Sequence, residues 1–360
     1  MPKVMIETRH FGVTRHLRER LMLVPAGTVV PTMRELQSEL NISQVTLARA
    51  LNKLKREGLI CRPSGKQRMI VAKLNDPAVI RVAIICPNYI SASFGGIASA
   101  AIEACRKANW SAELKFYQPG GDIDFNLLIG ENDCAVFIPS AGQIPSHIRK
   151  IVENPHKPIV LVQESIEGIN ADSVCFDNFK IGTLAAKHLL DLGHSRVLAV
   201  LDQPHVASAL DRIAGWQAEM QAANIENIDD RVIDCNVTSN DDARLKTYNY
   251  FSKWMDGPHI DFTAIFCASD VGAMAVLRAL SERHINVPDE VSIVAHGGEA
   301  NNAAFLNPPL TAIENDISEY GNAIVSVLNE RLTGKEKLEN RQILLSPYVV
   351  RRRSTKQLVK

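Results

Sequence analysis

Hydrophobic positions along this chain follow two different patterns, and the change falls near residue 75. Between residues 25 and 71 they recur at helical spacing in two short runs. Met33, Leu36 and Leu40 lie at i, i+3 and i+7, one face of a short helix. Asn41-Ile42-Ser43 interrupts it, with Ser43 placed to cap a second helix. In that helix Val45, Leu47, Ala50, Leu51 and Leu54 read as the inward stripe, leaving Gln44, Thr46, Arg49 and Lys53 on or near the outer face. Gly58 stops the helix. Leu59-Ile60 and Met69-Ile70-Val71 then read as two short strands around the turn Pro63-Ser64-Gly65-Lys66.

Residues 72–79 have the look of a linker, and from Arg81 the texture changes. VAIICP at 82–87 precedes a helix expected near 94–108, and CAVFIPS at 134–140 one near 144–154. IVLVQE at 159–164 and SVCFDN at 173–178 precede a helix at about 179–192. RVLAVLD at 196–202 precedes one near 208–223, and TAIFCASD at 263–270 another at about 271–284. Apolar strands without in–out alternation, separated by helices, predict parallel sheets covered on both faces. Ligands of such sheets bind outside the carboxyl ends of the strands.

Charge divides at the same place. Residues 1–75 hold 14 Lys and Arg against 5 Asp and Glu, a net of +9. The whole chain balances at 40 and 40, so residues 76–360 carry 26 and 35, a net of −9. A neutral total conceals a basic head on an acidic body, the distribution expected of a head that meets a polyanion.

At 360 residues the chain is expected to hold two or three domains. No apolar run approaches 18 residues and no signal-peptide core opens the chain, which predicts a cytoplasmic protein that does not engage membranes. The seven cysteines form no CxxC pair, and several lie inside strand-like runs, which predicts reduced, buried thiols. There is no GxSxG, HExxH, GxxxxGK[ST] or strand-borne GxGxxG, and His188 and His194 are not at a zinc spacing. No catalytic residue, metal site or cofactor is expected. Arg351-Arg352-Arg353 with Lys356 and Lys360 reads as a solvated tail, with residues 355–360 outside the last domain.

The head resembles the winged helix-turn-helix of the GntR family of bacterial regulators. Pro25-Ala26-Gly27-Thr28, Pro31-Thr32-Met33-Arg34-Glu35-Leu36, the Ser43–Leu51 helix and Glu57-Gly58-Leu59-Ile60 carry the resemblance. It implies that Arg34 and the wing around Gly65 touch the phosphate backbone while the start of the second helix reads bases in the major groove. The candidate DNA-binding residues are Thr32, Arg34, Ser43, Gln44, Thr46, Arg49, Lys53, Gly65, Lys66 and Arg68. Where many members place arginines in the second helix, this chain has Gln44 and Ala48, with Arg49 one place later.

The body, over about residues 80–354, resembles the effector domain of the LacI/GalR repressors, which is periplasmic-binding-protein-like. The phrases are Asp177-Asn178 through Gly182 to His188–His194, Ala209 through Arg212 to Ala214-Gly215-Trp216, and Ala264–Asp270. Val287–Val294 and Asn307-Pro308-Pro309-Leu310-Thr311 follow in the family's order. Head and body together give the arrangement of the arabinose-responsive repressors. No hinge helix with a leucine wedge is present between them.

The fold expected is therefore multi-domain: a winged helix-turn-helix head at 1–75, a linker at 76–80, and an α/β body at 81–354 of two doubly wound parallel sheets. One lobe is expected at about 81–176 with 311–340, and the other at 177–310 with 341–354. The candidate ligand residues follow strands: Asn88, Tyr89, Phe94, Ser140, Asp177, Arg212, Ser269, His296 and Asn315. Val291-Ser292-Ile293-Val294-Ala295 is followed by His296-Gly297-Gly298-Glu299, where LacI-like sensors commonly carry an aromatic residue and two aspartates. The expectation is a ligand-responsive, DNA-binding transcription regulator, acting as a homodimer on an operator and sensing a sugar or related molecule. The rival is a cytoplasmic binding module or sugar-processing enzyme whose head mediates protein contacts.

Overall fold

The computed structural model describes residues 12–18, 20–21, 23–56, 58–63, 68–71, 79–88, 92–121, 123–140, 146–162, 171–258, 260–297, 302–334 and 339–358. The chain divides between Val79 and Ile80 into two compact units. The linker expected at 76–80 falls mostly outside the described residues.

In the head, residues 12–18 and 20–21 are helical, followed by helices Met33–Leu40 and Gln44–Arg56. Thr32 and Glu35 form a reciprocal capping box at the start of the first of that pair. Asn41 turns the chain with a φ of 47°, a left-handed conformation that asparagine tolerates. Ser43 then caps the second helix by accepting the Thr46 amide. Ile60–Cys61 and Ile70–Val71 pair antiparallel, and residues 28–30 add a further edge through Val30 to Met69 and Val71 to Thr28 backbone bonds. Leu17, Leu36, Leu47, Leu51, Leu54 and Ile60 close the core.

One expectation about this helix is corrected. Val45 is 63% exposed and does not belong to the inward stripe. It lies two residues before Leu47, about 200° round a helix of 3.6 residues per turn, whereas Ala50, Leu51 and Leu54 return to the Leu47 face.

The body contains two six-stranded sheets. The first runs, in spatial order, Gln342–Leu345, Asp172–Phe176, Ile159–Val162, Cys134–Phe137, Arg81–Pro87 and Ser111–Tyr117, with every pairing parallel. The second runs Tyr348–Val350, Thr311–Glu314, Ser292–Gly297, Ala264–Cys267, Val197–Leu201 and Val232–Asp234. All its pairings are parallel except that of the outer strand Tyr348–Val350, which runs antiparallel. The central strands are buried along their whole length, as their unalternating apolar runs require.

Two segments sit in the other sheet from the one expected. Thr311–Glu314 belongs to the second sheet and Gln342–Leu345 to the first, so the chain crosses near 177, 315 and 346. The cause is visible at Thr311, whose amide and hydroxyl are held by Ser354 and Thr355 inside the second lobe. Helix Ile317–Thr333 returns to the first lobe, where Arg331 donates to both carboxylate oxygens of Asp172 at 2.6 and 2.7 Å.

The carboxyl-terminal segment is also corrected. Residues 351–358 are docked on the second lobe through their backbone and through Arg352 and Ser354, although the Arg351, Arg353 and Gln357 side chains are exposed. Ser354, fully buried, donates to the Ile293 carbonyl and accepts the Thr311 amide. Arg352 pairs with Glu314 at 2.6 Å, and the Leu358 amide reaches the Leu192 carbonyl. All seven cysteines are free thiols and six are buried. Among the described residues no helix is long and apolar enough to cross a membrane.

Candidate functional site

The head presents one coherent face. Arg34, Ser43, Gln44, Val45, Arg49 and Arg68 are all exposed, on two helices and the strand-side of the wing. Their backbones are fixed by the two caps, so the outward side chains ride on rigid turns. Thr32 and Ser43 use their hydroxyls for capping, and Ser43 also shares a hydrogen bond with Thr46 at 2.8 Å. Lys53 is half-buried beside Arg15 and Arg18 around a cavity of about 410 Å³. Gly65 and Lys66 lie outside the described residues. The positive charge of Arg68 reaches Glu35, whose carboxyl is held low first by its bonds to Thr32. Val45, which the stripe reading placed inside, adds an apolar group to this face and suits a thymine methyl.

The expected ligand residues of the body form two groups. In the first lobe Tyr117 organises Asn88 and Ser140: its carbonyl accepts the Asn88 amide and its hydroxyl accepts the Ser140 amide at 2.7 Å. Asn88 further donates to Gln118 at 2.7 Å. Phe94 is half-buried and packs against the lobe's core. Tyr89 lies outside the described residues.

In the second lobe the group centres on Arg212, which is only 7% exposed. Its Nε donates to Asn178 Oδ1 at 2.9 Å, and its Nη1 donates to the Ala268 carbonyl at 2.8 Å and to Gln203 Oε1 at 3.2 Å. Each of those partners lies just past a strand end, at Phe176, Leu201 and Cys267. The guanidinium is thus held at the carboxyl edge of the sheet, where open α/β sheets take ligands. His296, at the end of the neighbouring strand, is buried and meets Asn315 Nδ2 at 3.3 Å. Burial, with the charge of Arg212 as a lesser cause, holds the His296 pKa well below the usual imidazole value. The ring is therefore neutral at pH 7, and facing an amide donor it accepts through Nε2. Asn315 Oδ1 is buried and accepts no hydrogen bond among the described residues.

Asp177 and Ser269 occupy the same edge but are used as helix caps, accepting the amides of Lys180 and Gly272. The cap of the helix Asp270–Glu282 is therefore Ser269. Sequence reading missed Asn178, Gln203 and Asp202. Gln203 carries no motif and Asn178 only its place in the Asp177-Asn178 phrase, and both become visible as contacts only as acceptors around Arg212. Asp202 ends a strand-like run, a position that by itself reads as a turn residue. At Gly297, where the resembled family carries a carboxylate, a side chain would be tight: an added Cβ would stand 3.0 Å from Ala312 Cβ and 3.1 Å from Glu314 Cγ, so a neighbour would have to give by a few tenths of an ångström.

Comparison with known proteins gives the two parts separate relatives. Residues 12–67 match the family of bacterial regulatory proteins, gntR family, and residues 186–355 match the periplasmic binding protein-like domain. An HTH-type transcriptional repressor PurR from Aliivibrio salmonicida is 26% identical over 212 residues, covering 59% of this chain and 61% of that protein. The PurR of Histophilus somni strain 2336 is 28% identical over 201 residues, covering 56% and 58%. The chain thus spans about three fifths of the length of these relatives. Among solved structures, the transcription regulator CcpA of Lactococcus lactis superposes with a TM-score of 0.63 at 21% identity, over 77% of this chain and all of that one. A LacI family regulator from Enterococcus faecium with bound ribose gives 0.63 at 22%, over 78% and 100%. A periplasmic binding protein/LacI regulator from Alkaliphilus metalliredigens QYMF, complexed with D-xylulofuranose, gives 0.60 at 19%, over 76% and 98%. These superpositions establish the fold of the body.

Proposed function

The chain joins a gntR-family helix-turn-helix head to a periplasmic-binding-protein-like body, and from that pairing we propose a DNA-binding transcription regulator that responds to a small molecule. The observation that carries this reading is the outward face of Gln44–Arg56. Amide, apolar and guanidinium groups at Gln44, Val45 and Arg49 stand exposed on one capped helix in a head of net charge +9. Such a helix enters the major groove, with Arg34, Lys66 and Arg68 on the flanking phosphates. Repression is the mode named for the PurR relatives, and it is the mode proposed here.

One head buries too little surface for tight specific binding, so the reading includes a homodimer on an inverted repeat. Selection from a pool of random duplexes by the full-length chain tests this. Enrichment of a two-fold symmetric sequence supports it; recovery of no sequence favours a head that mediates protein contacts.

The effector is placed at the Arg212, His296 and Asn315 edge. Neighbouring folds hold ribose and D-xylulofuranose, which supports a sugar or sugar derivative here. Arg212 supplies a buried cation, Asn315 an acceptor, and Gly297 no carboxylate, so a ligand with an acidic or otherwise altered edge is preferred to a plain hexose. Calorimetry decides this point: tight binding of an unmodified hexose, abolished by Glu299→Ala, restores the ordinary sugar sensor.

A further inference from the structure

Asp202 directly follows the strand Val197–Leu201 and is fully buried. Its Oδ2 accepts the Ser269 amide at 3.1 Å, while its Oδ1 accepts no hydrogen bond among the described residues. The space it occupies exists because residue 272 is glycine: an added Cβ there would stand 1.6 Å from Oδ2 and 2.2 Å from Cγ. The peptide group that donates to Asp202 is the one whose carbonyl, at Ala268, accepts Arg212 Nη1 at 2.8 Å. A single peptide therefore bridges a buried carboxyl on one side and a buried guanidinium on the other.

We propose that Asp202 is a proton-binding site built into the sensor lobe, and that Arg212 reads its charge across the Ala268–Ser269 peptide. The titratable groups that act on the carboxyl are Arg212 from the helix Ala207–Ala222, Asp270 from the helix Asp270–Glu282, Cys267 from a strand and Cys235 after another. The two thiols are held protonated by burial and contribute no charge. Arg212 favours the ionised carboxyl and Asp270 opposes it. Burial is the largest influence and pushes Asp202 up to about 7, against the hydrogen bonds from Ser269. With the proton on, Arg212 is free to keep its neutral acceptors Asn178, Gln203 and Ala268. With it off, a new anion beside the bridging peptide competes for the guanidinium, and the effector edge changes charge. Only that last consequence rests on Arg212 being an effector contact; the proton site does not.

The test is side-chain NMR of the full-length chain, with ¹³Cγ-aspartate and ¹⁵N-arginine labels, between pH 5 and 8.5. Asp202 is assigned by the loss of its signal in Asp202→Asn or, should that variant not fold, by through-bond correlation of its Cγ to the Asp202 backbone in the unaltered chain. The expected result is a titration of Asp202 with a midpoint near 7, and a shift of the Arg212 Nε signal with the same midpoint. In Asp202→Asn the part of the Arg212 shift with a midpoint near 7 is lost, whatever movement the neighbouring Asp211 and His296 still cause. A midpoint below 5, or an Arg212 signal that ignores the Asp202 titration, overturns the proposal. Neither result bears on DNA selection by the head, so the two readings fail separately.

Discussion

A Cβ added to Gly182 would stand 1.9 Å from the backbone oxygen of Arg212. Gly215 makes the reciprocal approach, 1.9 Å from the Phe179 oxygen, so helices Asn178–Asp191 and Ala207–Ala222 cross in backbone contact. That closeness delivers Asn178 and Arg212 to each other. Gly182→Ala should force the helices apart at a cost of about 1–3 kcal/mol, the range for overpacking a filled core. Urea unfolding measures the loss. Gly182→Ala should also weaken ligand-induced thermal shifts, because Arg212 moves with its helix.

The docked carboxyl-terminal segment gives a second expectation. Ser354 has no exposed surface and satisfies both the Thr311 amide and the Ile293 carbonyl. Ser354→Ala leaves a buried amide unpaired, which costs about 1–3 kcal/mol. A frayed tail would instead make the substitution neutral in the same urea experiment.

Acidification should destabilise the second lobe. His188, His194 and His296 all have pKa values lowered, by burial first in each case. At pH 7.5 each ring is neutral folded or unfolded. As pH falls through the unfolded value of about 6.5, the unfolded chain takes up protons the folded chain refuses, so stability is lost. At His194, where Nε2 donates to the Lys356 carbonyl and Nδ1 meets the Thr263 hydroxyl at 3.0 Å, burial outweighs the Lys356 bond and favours the neutral ring. Asp202 acts with the opposite sign, its raised value removing stability as pH rises between about 4 and 7. The histidine part is isolated by comparison with His194→Gln, whose loss of urea midpoint between pH 7.5 and 5.5 should be smaller than that of the wild type.

Much of this was legible in the sequence. Unalternating apolar runs gave the central strands, and Ser43 marked a helix start, whereas Asp177, expected as a ligand contact, caps a helix in the structure. Periodicity could not resolve membership of a sheet: Thr311–Glu314 and Gln342–Leu345 are short, and their partners are distant in sequence. It also misplaced Val45, because an apolar residue name outweighed its angle on the helix. Around Arg212 the donor was readable, but its acceptors Asn178 and Gln203 became apparent only through the crossing that Gly182 and Gly215 permit.

On the head, Arg49→Ala should cost about 1–3 kcal/mol on the selected duplex and relax base preference at one position per half-site. Val45→Ala should cost less and act at a thymine, through loss of one methyl contact. Binding of duplexes that carry each base substitution in turn separates the two effects.

The most direct measurement is the affinity of the full-length chain for its selected duplex across salt concentration, by fluorescence anisotropy. If Arg34, Lys66 and Arg68 of two heads each meet a phosphate, log affinity falls against log salt with a slope of about −5. Lys66→Ala in both heads should then reduce the slope by about two while weakening selected and random DNA alike. A wild-type slope near zero, or equal affinity for selected and random duplexes, would contradict the account.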